Sequence, residues 1–103
     1  YKRQVYHLFR GGSGFEGLKL VDGNAISIFH LNDFSGTIPR TAQQDKDRVF
    51  PGDGAAPLQE LATTLRAKGG QIILSLELFN PEYYAMDADF VAKTGLEKMK
   101  QFF

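Results

Sequence analysis

The sequence predicts an α/β domain built on parallel strands, and three observations carry that reading. Apolar segments of strand character start near Gln4, Ala25 and Gln71. Helix candidates separate and follow them, giving the order β, α, β, α, β, α; strands joined through helices imply right-handed crossovers and a parallel sheet. Each strand candidate ends near a side chain able to bind a metal or move a proton: His7, His30 and Glu77. Ligands of parallel α/β proteins bind beyond the carboxyl ends of the strands, so the same pattern is the first functional signal.

The first strand candidate covers residues 4–9, with His7 towards its end. Arg10-Gly11-Gly12-Ser13-Gly14 follows as a loop of residues that tolerate positive φ. It lacks the Lys-Ser/Thr ending of a phosphate-binding loop and reads as a turn. Residues 15–21 suit a short helix with Phe15, Leu18 and Leu20 inward, and Asp22-Gly23-Asn24 is a turn signal. Residues 25–33 open on a β-branched apolar run, the signature of a buried strand, and close on His30, Asn32 and Asp33. Strand alternation places Ile28, His30 and Asn32 on one face and Phe29 and Leu31 on the other.

Residues 34–56 form a long polar loop containing Pro39, Pro51, Gly52 and Gly54. Loops beyond ~15 residues are usually functional or disordered, and the compact run Arg48-Val49-Phe50-Pro51-Gly52-Asp53-Gly54 argues for order here. Pro57 suits the first position of a helix in which Leu58, Leu61, Ala62 and Leu65 recur at helical spacing. Arg66 and Lys68 complement its C-terminus before Gly69-Gly70 ends it. The strand over 71–79 puts Leu74, Leu76 and Leu78 on one face and Ile73, Ser75, Glu77 and Phe79 on the other, and Asn80-Pro81 breaks it. Asp87 is a plausible N-cap for a last helix over 88–101, with Ala92, Leu96, Met99 and Phe103 on one stripe. No linker divides the chain, so residues 1–103 read as part of a single domain.

A length of 103 residues suits one small domain with a modest core. The formal net charge of zero offers no bulk attraction to nucleic acid or an acidic membrane. Cysteine is absent, which removes disulfides and thiolate metal sites. No apolar run approaches the ~20 residues of a membrane span. The chain starts at Tyr1 and enters a strand candidate almost at once, from which we expect it to continue a larger protein.

Two imidazoles and a carboxylate suit divalent cations such as Mn²⁺, Co²⁺, Zn²⁺ and Mg²⁺ to different degrees, although their spacing matches no short metal signature. A carboxylate between Leu76 and Leu78 is costly to bury unless paired or metal-bound. An ion pair with Arg48 is the structural alternative for Glu77. Arg48, just ahead of the Pro-Gly turn, has the geometry to clamp a hydroxyl, carboxylate or phosphate oxygen. None of the serines sits in a nucleophile elbow.

Four segments resemble, in order, the C-terminal part of the xylose-isomerase-like TIM-barrel superfamily, in its sugar phosphate isomerase/epimerase branch. They are Val5-Tyr6-His7-Leu8-Phe9-Arg10-Gly11-Gly12-Ser13, Phe29-His30-Leu31-Asn32-Asp33, Arg48-Val49-Phe50-Pro51-Gly52-Asp53-Gly54, and Leu74-Ser75-Leu76-Glu77-Leu78-Phe79-Asn80. The resemblance implies that the chain supplies strands six to eight of an eight-stranded barrel, an incomplete barrel by itself. It also implies a metal-dependent isomerase or epimerase of sugars or sugar phosphates, acting by proton transfer through an enediolate, active only in the complete protein. A divalent metal (Mn, Mg, Co or Zn) would be bound by His30 and by Glu77, which would also be the catalytic acid/base. His7 and Arg48 would bind substrate oxygens.

The family's metal-binding aspartate, three residues before the His7 position, is Gln4 here, and an earlier glutamate would lie before Tyr1. Strand alternation puts Gln4 and His7 on opposite faces, so a bulge is expected between them. A dehydratase on the same scaffold and a non-catalytic sugar-binding or assembly role are the alternatives. The endonuclease IV-type members of the superfamily use a zinc cluster on DNA; two histidines and zero net charge argue against that use here. The expected partners are a small sugar or sugar phosphate and the remaining barrel strands or a second copy, with no nucleic acid and no membrane.

Overall fold

The computed structural model describes residues 2–103. In chain order the elements are β1 (Lys2–Gln4), α1 (Val5–Arg10), β2 (Ile28–Leu31), β3 (Asp33–Phe34), β4 (Arg48–Val49), α2 (Leu58–Ala67), β5 (Ile73–Leu76), α3 (Pro81–Tyr84) and α4 (Ala88–Lys100). Short 3₁₀ turns at Glu16–Leu20, Gly23–Ala25, Arg40–Ala42 and Asp45–Asp47 fill the connections. β1, β2 and β5 form one sheet in that order, parallel throughout, as the sequence predicts. Its register aligns Gln4 with His30, and His30 with Ser75. β3 and β4 make a separate antiparallel pair at the mouth of the sheet.

The alternation read from residues 25–33 is present. Phe29 and Leu31 are fully buried on the helix side, while Ile28 and His30 are half-buried on the other. Leu58, Leu61 and Leu65 of α2 join Phe29, Leu31, Val5, Leu18 and Ile26 in one core cluster. Each such side chain contributes about 1.5–3 kcal/mol on burial. α2 is therefore held by its apolar stripe.

Three expectations are corrected. Residues 4–9 are not one strand: β1 stops at Gln4 and α1 begins at Val5, so His7 lies on a helix and is exposed. The α1 N-cap, Gln4, makes no side-chain capping bond. The acceptor comes instead from Asn32, whose Oδ1 takes the Tyr6 amide at 3.1 Å. A short apolar run has no periodicity to separate helix from strand, and this cap arrives from a distant residue. The bulge expected between Gln4 and His7 is unnecessary, because the strand has already ended.

Leu20 does not face inward; it is 91 % exposed, whereas Leu18 is buried as expected. α4 forms where predicted, with the Asp87 carboxylate accepting from the Phe90 amide at 3.0 Å. Its inner stripe is rotated, however. Gly95 is buried and Leu96 is 48 % exposed. The helix sits so close to β5 that a Cβ at Gly95 would collide with Leu76 Cδ2. A glycine admits that approach and Leu96 would block it.

Candidate functional site

The register sets the site. Residues paired across adjacent strands project to the same face, so Gln4, His30 and Ser75 share one side of the sheet. Glu77, two residues beyond Ser75, follows on that side at the strand end. His30 Nδ1 lies 3.6 Å from Glu77 Oε1. His30 Nδ1 and Gln4 Oε1 are buried and have no hydrogen-bond partner.

Glu77 Oε2 is engaged separately: it accepts from Arg48 Nη1 at 2.7 Å. The ion pair considered as the structural alternative for Glu77 thus exists, and it occupies only one carboxylate oxygen. Arg48 is 2 % exposed. Its other terminal nitrogen pairs with Asp45 Oδ1 at 2.5 Å. The guanidinium carbon lies 4.5 Å from the Tyr6 ring centroid and 4.9 Å from that of Phe79. Two carboxylates and two aromatic faces compensate a buried cation that would otherwise be costly. Burial raises the Tyr6 phenol above its ordinary value, with a smaller push from the Asp45 carboxylate. Arg48 therefore holds Glu77 in place, with both terminal nitrogens engaged.

The structure thus brings His30, Glu77 and Arg48 together. His7 stands apart on exposed α1, and its ring meets the edge of Tyr6 at 5.6 Å between centroids. Among the described residues no group of three His, Cys, Asp or Glu side chains is placed to hold a metal. The polar atoms present still suit a cation. An imidazole nitrogen and an amide oxygen, both buried and unpartnered, share a face with a carboxylate that keeps one oxygen towards the imidazole. Buried polar atoms are normally satisfied, and these atoms are all possible donors of electron pairs to a metal.

Two supporting residues carry the mouth and went unassigned in the sequence. Asn32, fully buried, accepts from the Tyr6 amide and donates to the Glu77 carbonyl at 3.1 Å, joining the ends of β1 and β5 through β2. Asp33, also fully buried, accepts four backbone amides: Phe34 and Ala56 on Oδ1, Gly52 and Gly54 on Oδ2. This carboxylate folds the Pro51-Gly52-Asp53-Gly54 turn that follows Arg48. The only sequence signal was their place directly after His30.

No family model matches the chain. It is 39 % identical over 92 residues to an inosose isomerase of Bacillus licheniformis, a match covering 89 % of this chain and 33 % of that protein. It is 38 % identical over 90 residues to the inosose isomerase of Bacillus subtilis, covering 87 % of this chain and 32 % of that protein. A crystal structure of the IOLI protein with a bound zinc atom superimposes with a TM-score of 0.88 at 33 % identity, over 99 % of this chain and 38 % of that one. The chain is thus similar to part of a xylose-isomerase-like TIM barrel. A xylose isomerase domain protein from Alicyclobacillus acidocaldarius shares the fold at a TM-score of 0.81 and 20 % identity, over 97 % of this chain and 35 % of that one. The chain spans about a third of the length of the curated relatives it matches, so its parallel three-stranded sheet is the xylose-isomerase-like architecture over part of a barrel.

Proposed function

We propose that the protein is a metal-dependent isomerase or epimerase of sugars, sugar phosphates or related cyclic ketones, working by proton transfer through an enediolate. The observation that carries this is the His30–Glu77 pair at 3.6 Å on a shared face at the strand ends. The inosose isomerases among the relatives favour a polyhydroxylated ketone as substrate, and the zinc of the IOLI structure favours a divalent metal.

In this reading His30 and Glu77 hold the metal. A divalent cation there supplies Lewis-acid polarisation of substrate carbonyl and hydroxyl oxygens. Glu77 takes the proton from the carbon next to the carbonyl and returns a proton in the reverse sense. Arg48 fixes the Glu77 carboxylate through Oε2, so the basic oxygen has one orientation, the condition for efficient proton transfer. His7, exposed on α1, binds substrate oxygens at the rim, while Arg48, buried with both terminal nitrogens engaged, acts through the Glu77 carboxylate it holds. The open edges of β1 and β5 in the three-stranded sheet support association with further strands or a second copy, which sedimentation would detect as a species heavier than one chain.

The test is ketose isomerisation and epimerisation by the full-length protein before and after chelation. Activity should vanish with the metal and return on its readdition. Glu77→Gln should lower turnover by about 10²–10⁴-fold, the usual share of a general acid/base. An undiminished rate after complete metal removal would overturn the proposal. Product analysis separates it from loss of water.

A further inference from the structure

Asp45 opens the 3₁₀ turn Asp45–Asp47, which leads straight into β4 and Arg48. The turn is closed locally. The Gln44 amide donates to Asp47 Oδ2 at 2.9 Å, the Asp47 amide to the Gln44 carbonyl at 2.9 Å, and the Arg48 amide to the Asp45 carbonyl. That geometry folds the Asp45 carboxylate back onto the guanidinium three residues on, with Oδ1 at 2.5 Å from Nη2. The Asp45 side chain is 63 % exposed, whereas that of Arg48 is 2 % exposed. An exposed acid thus reaches a deeply buried cation. Nη1 meets Glu77 Oε2 at 2.7 Å, and Nε has no partner.

An arginine beside a carboxylate favours two parallel bonds, one to each oxygen. Here the Tyr6 and Phe79 rings lie over the guanidinium, at 4.5 and 4.9 Å, and leave its edge for hydrogen bonding. On that edge Asp45 occupies Nη2. The two-pronged pair with Glu77 is thereby blocked, and Glu77 Oε1 stays 3.6 Å from His30 Nδ1. We infer that Asp45 is a positioning residue: by engaging Nη2 it keeps Arg48 one-pronged on Glu77 and leaves Oε1 to the chemistry beside His30. The inference rests on the reading of Glu77 as acid/base and adds the residue that decides which of its oxygens works. Without Asp45, Nη2 turns to Oε1 and the cation holds both oxygens.

The test makes two independent measurements on the full-length protein. In a crystal structure of the Asp45→Ala variant, both terminal nitrogens of Arg48 should lie on the Glu77 carboxylate. An Arg48 that still meets Oε2 through Nη1 alone overturns the inference, a result that needs no substrate. With an inosose as the assayed substrate, Asp45→Ala should lower kcat about 10–100-fold, the scale of an ångström-size misplacement, and leave KM within about twofold. Replacing an exposed side chain is otherwise nearly neutral for stability, so the urea midpoint should stay close to the parent's. Asp45→Asn, which keeps a neutral acceptor for Nη2, should recover most of the rate. In an Arg48→Met background, Asp45→Ala should change kcat less than about twofold, because its effect passes through the arginine. Parental turnover in Asp45→Ala, or the same loss with and without Arg48, overturns the inference while Glu77 remains the acid/base. If Glu77→Gln turns over like the parent, the reading of Glu77 fails and this inference with it.

Discussion

At the carboxyl ends of the strands, Asn32, Asp33, Gln43 and Arg48 are polar side chains buried to within 2 % of full exclusion. Along the β5–α4 flank, Ile73, Phe90 and Leu96 are apolar side chains left 64 %, 55 % and 48 % exposed. The usual assignment of polar outside and apolar inside is inverted in both places. At the mouth each of these four side chains makes hydrogen bonds, although Gln43 Oε1 and Arg48 Nε have no partner: Asp33 holds four amides, Asn32 bonds the Tyr6 amide and the Glu77 carbonyl, Gln43 donates to the Ser35 and Ile38 carbonyls, and Arg48 pairs with Glu77 and Asp45. On the flank the apolar groups have little to pack on. The mouth is therefore a frame held largely by its own hydrogen bonds, and the flank is a surface whose removal from water would add stability.

The contrast breaks most sharply at Asp33. Asp33→Ala should cost about 3–4 kcal/mol, because four amides lose a charged acceptor and several stay buried. Urea unfolding measures it, and a loss under about 1 kcal/mol would mean that the mouth does not depend on this carboxylate. Gly54→Ala comes next, at about 2 kcal/mol, since the added methyl meets the Phe34 carbonyl and the Asp33 carboxylate rather than a yielding side chain. Arg48→Met should cost a similar amount, about 2 kcal/mol, by leaving Glu77 and Asp45 without their shared cation.

Burial raises the Tyr6 phenol, and also that of Tyr83, whose oxygen accepts from the Phe50 amide. A raised value means that the folded state holds the proton more tightly. The associated stability is complete below the ordinary value of 10.0 and declines as pH climbs through the folded value. Tyr6→Phe should flatten that alkaline decline in a pH series of unfolding midpoints. The smallest effects belong to the flank: Phe90→Ser and Leu96→Lys should stay within about 0.5 kcal/mol of the parent. A larger loss would show that the flank is packed after all.

The elements with local signals were legible. α2 announced itself by Leu58, Leu61, Ala62 and Leu65, all buried; β2 did so by alternation, and α4 by the Asp87 cap. α1 was hidden because its missing cap is supplied by Asn32, 26 residues away in sequence from Tyr6. The rotated face of α4 was hidden because a hydrophobic stripe points to Leu96, while close packing on β5 requires Gly95. Within the site, His30, Glu77 and Arg48 were readable as chemistry-bearing residues at strand ends or beside a tight turn. Gln4 was marked only by the resemblance, as the residue in place of an aspartate, and its position beside His30 emerges only from the register of β1 on β2. Asp33 could be seen as polar, but its role depends on where the amides of residues 52–56 arrive.

The Asn32 side chain has a kinetic meaning as well. It unites positions separated from it by 26 and 45 residues, so two chain closures must be complete before both its bonds exist, each with an entropic cost that grows slowly with length. The amide proton of Tyr6 is shielded only once β2 has met the start of α1. Its deuterium exchange is thus a single-atom clock for the moment at which the mouth assembles, readable without any substrate or metal.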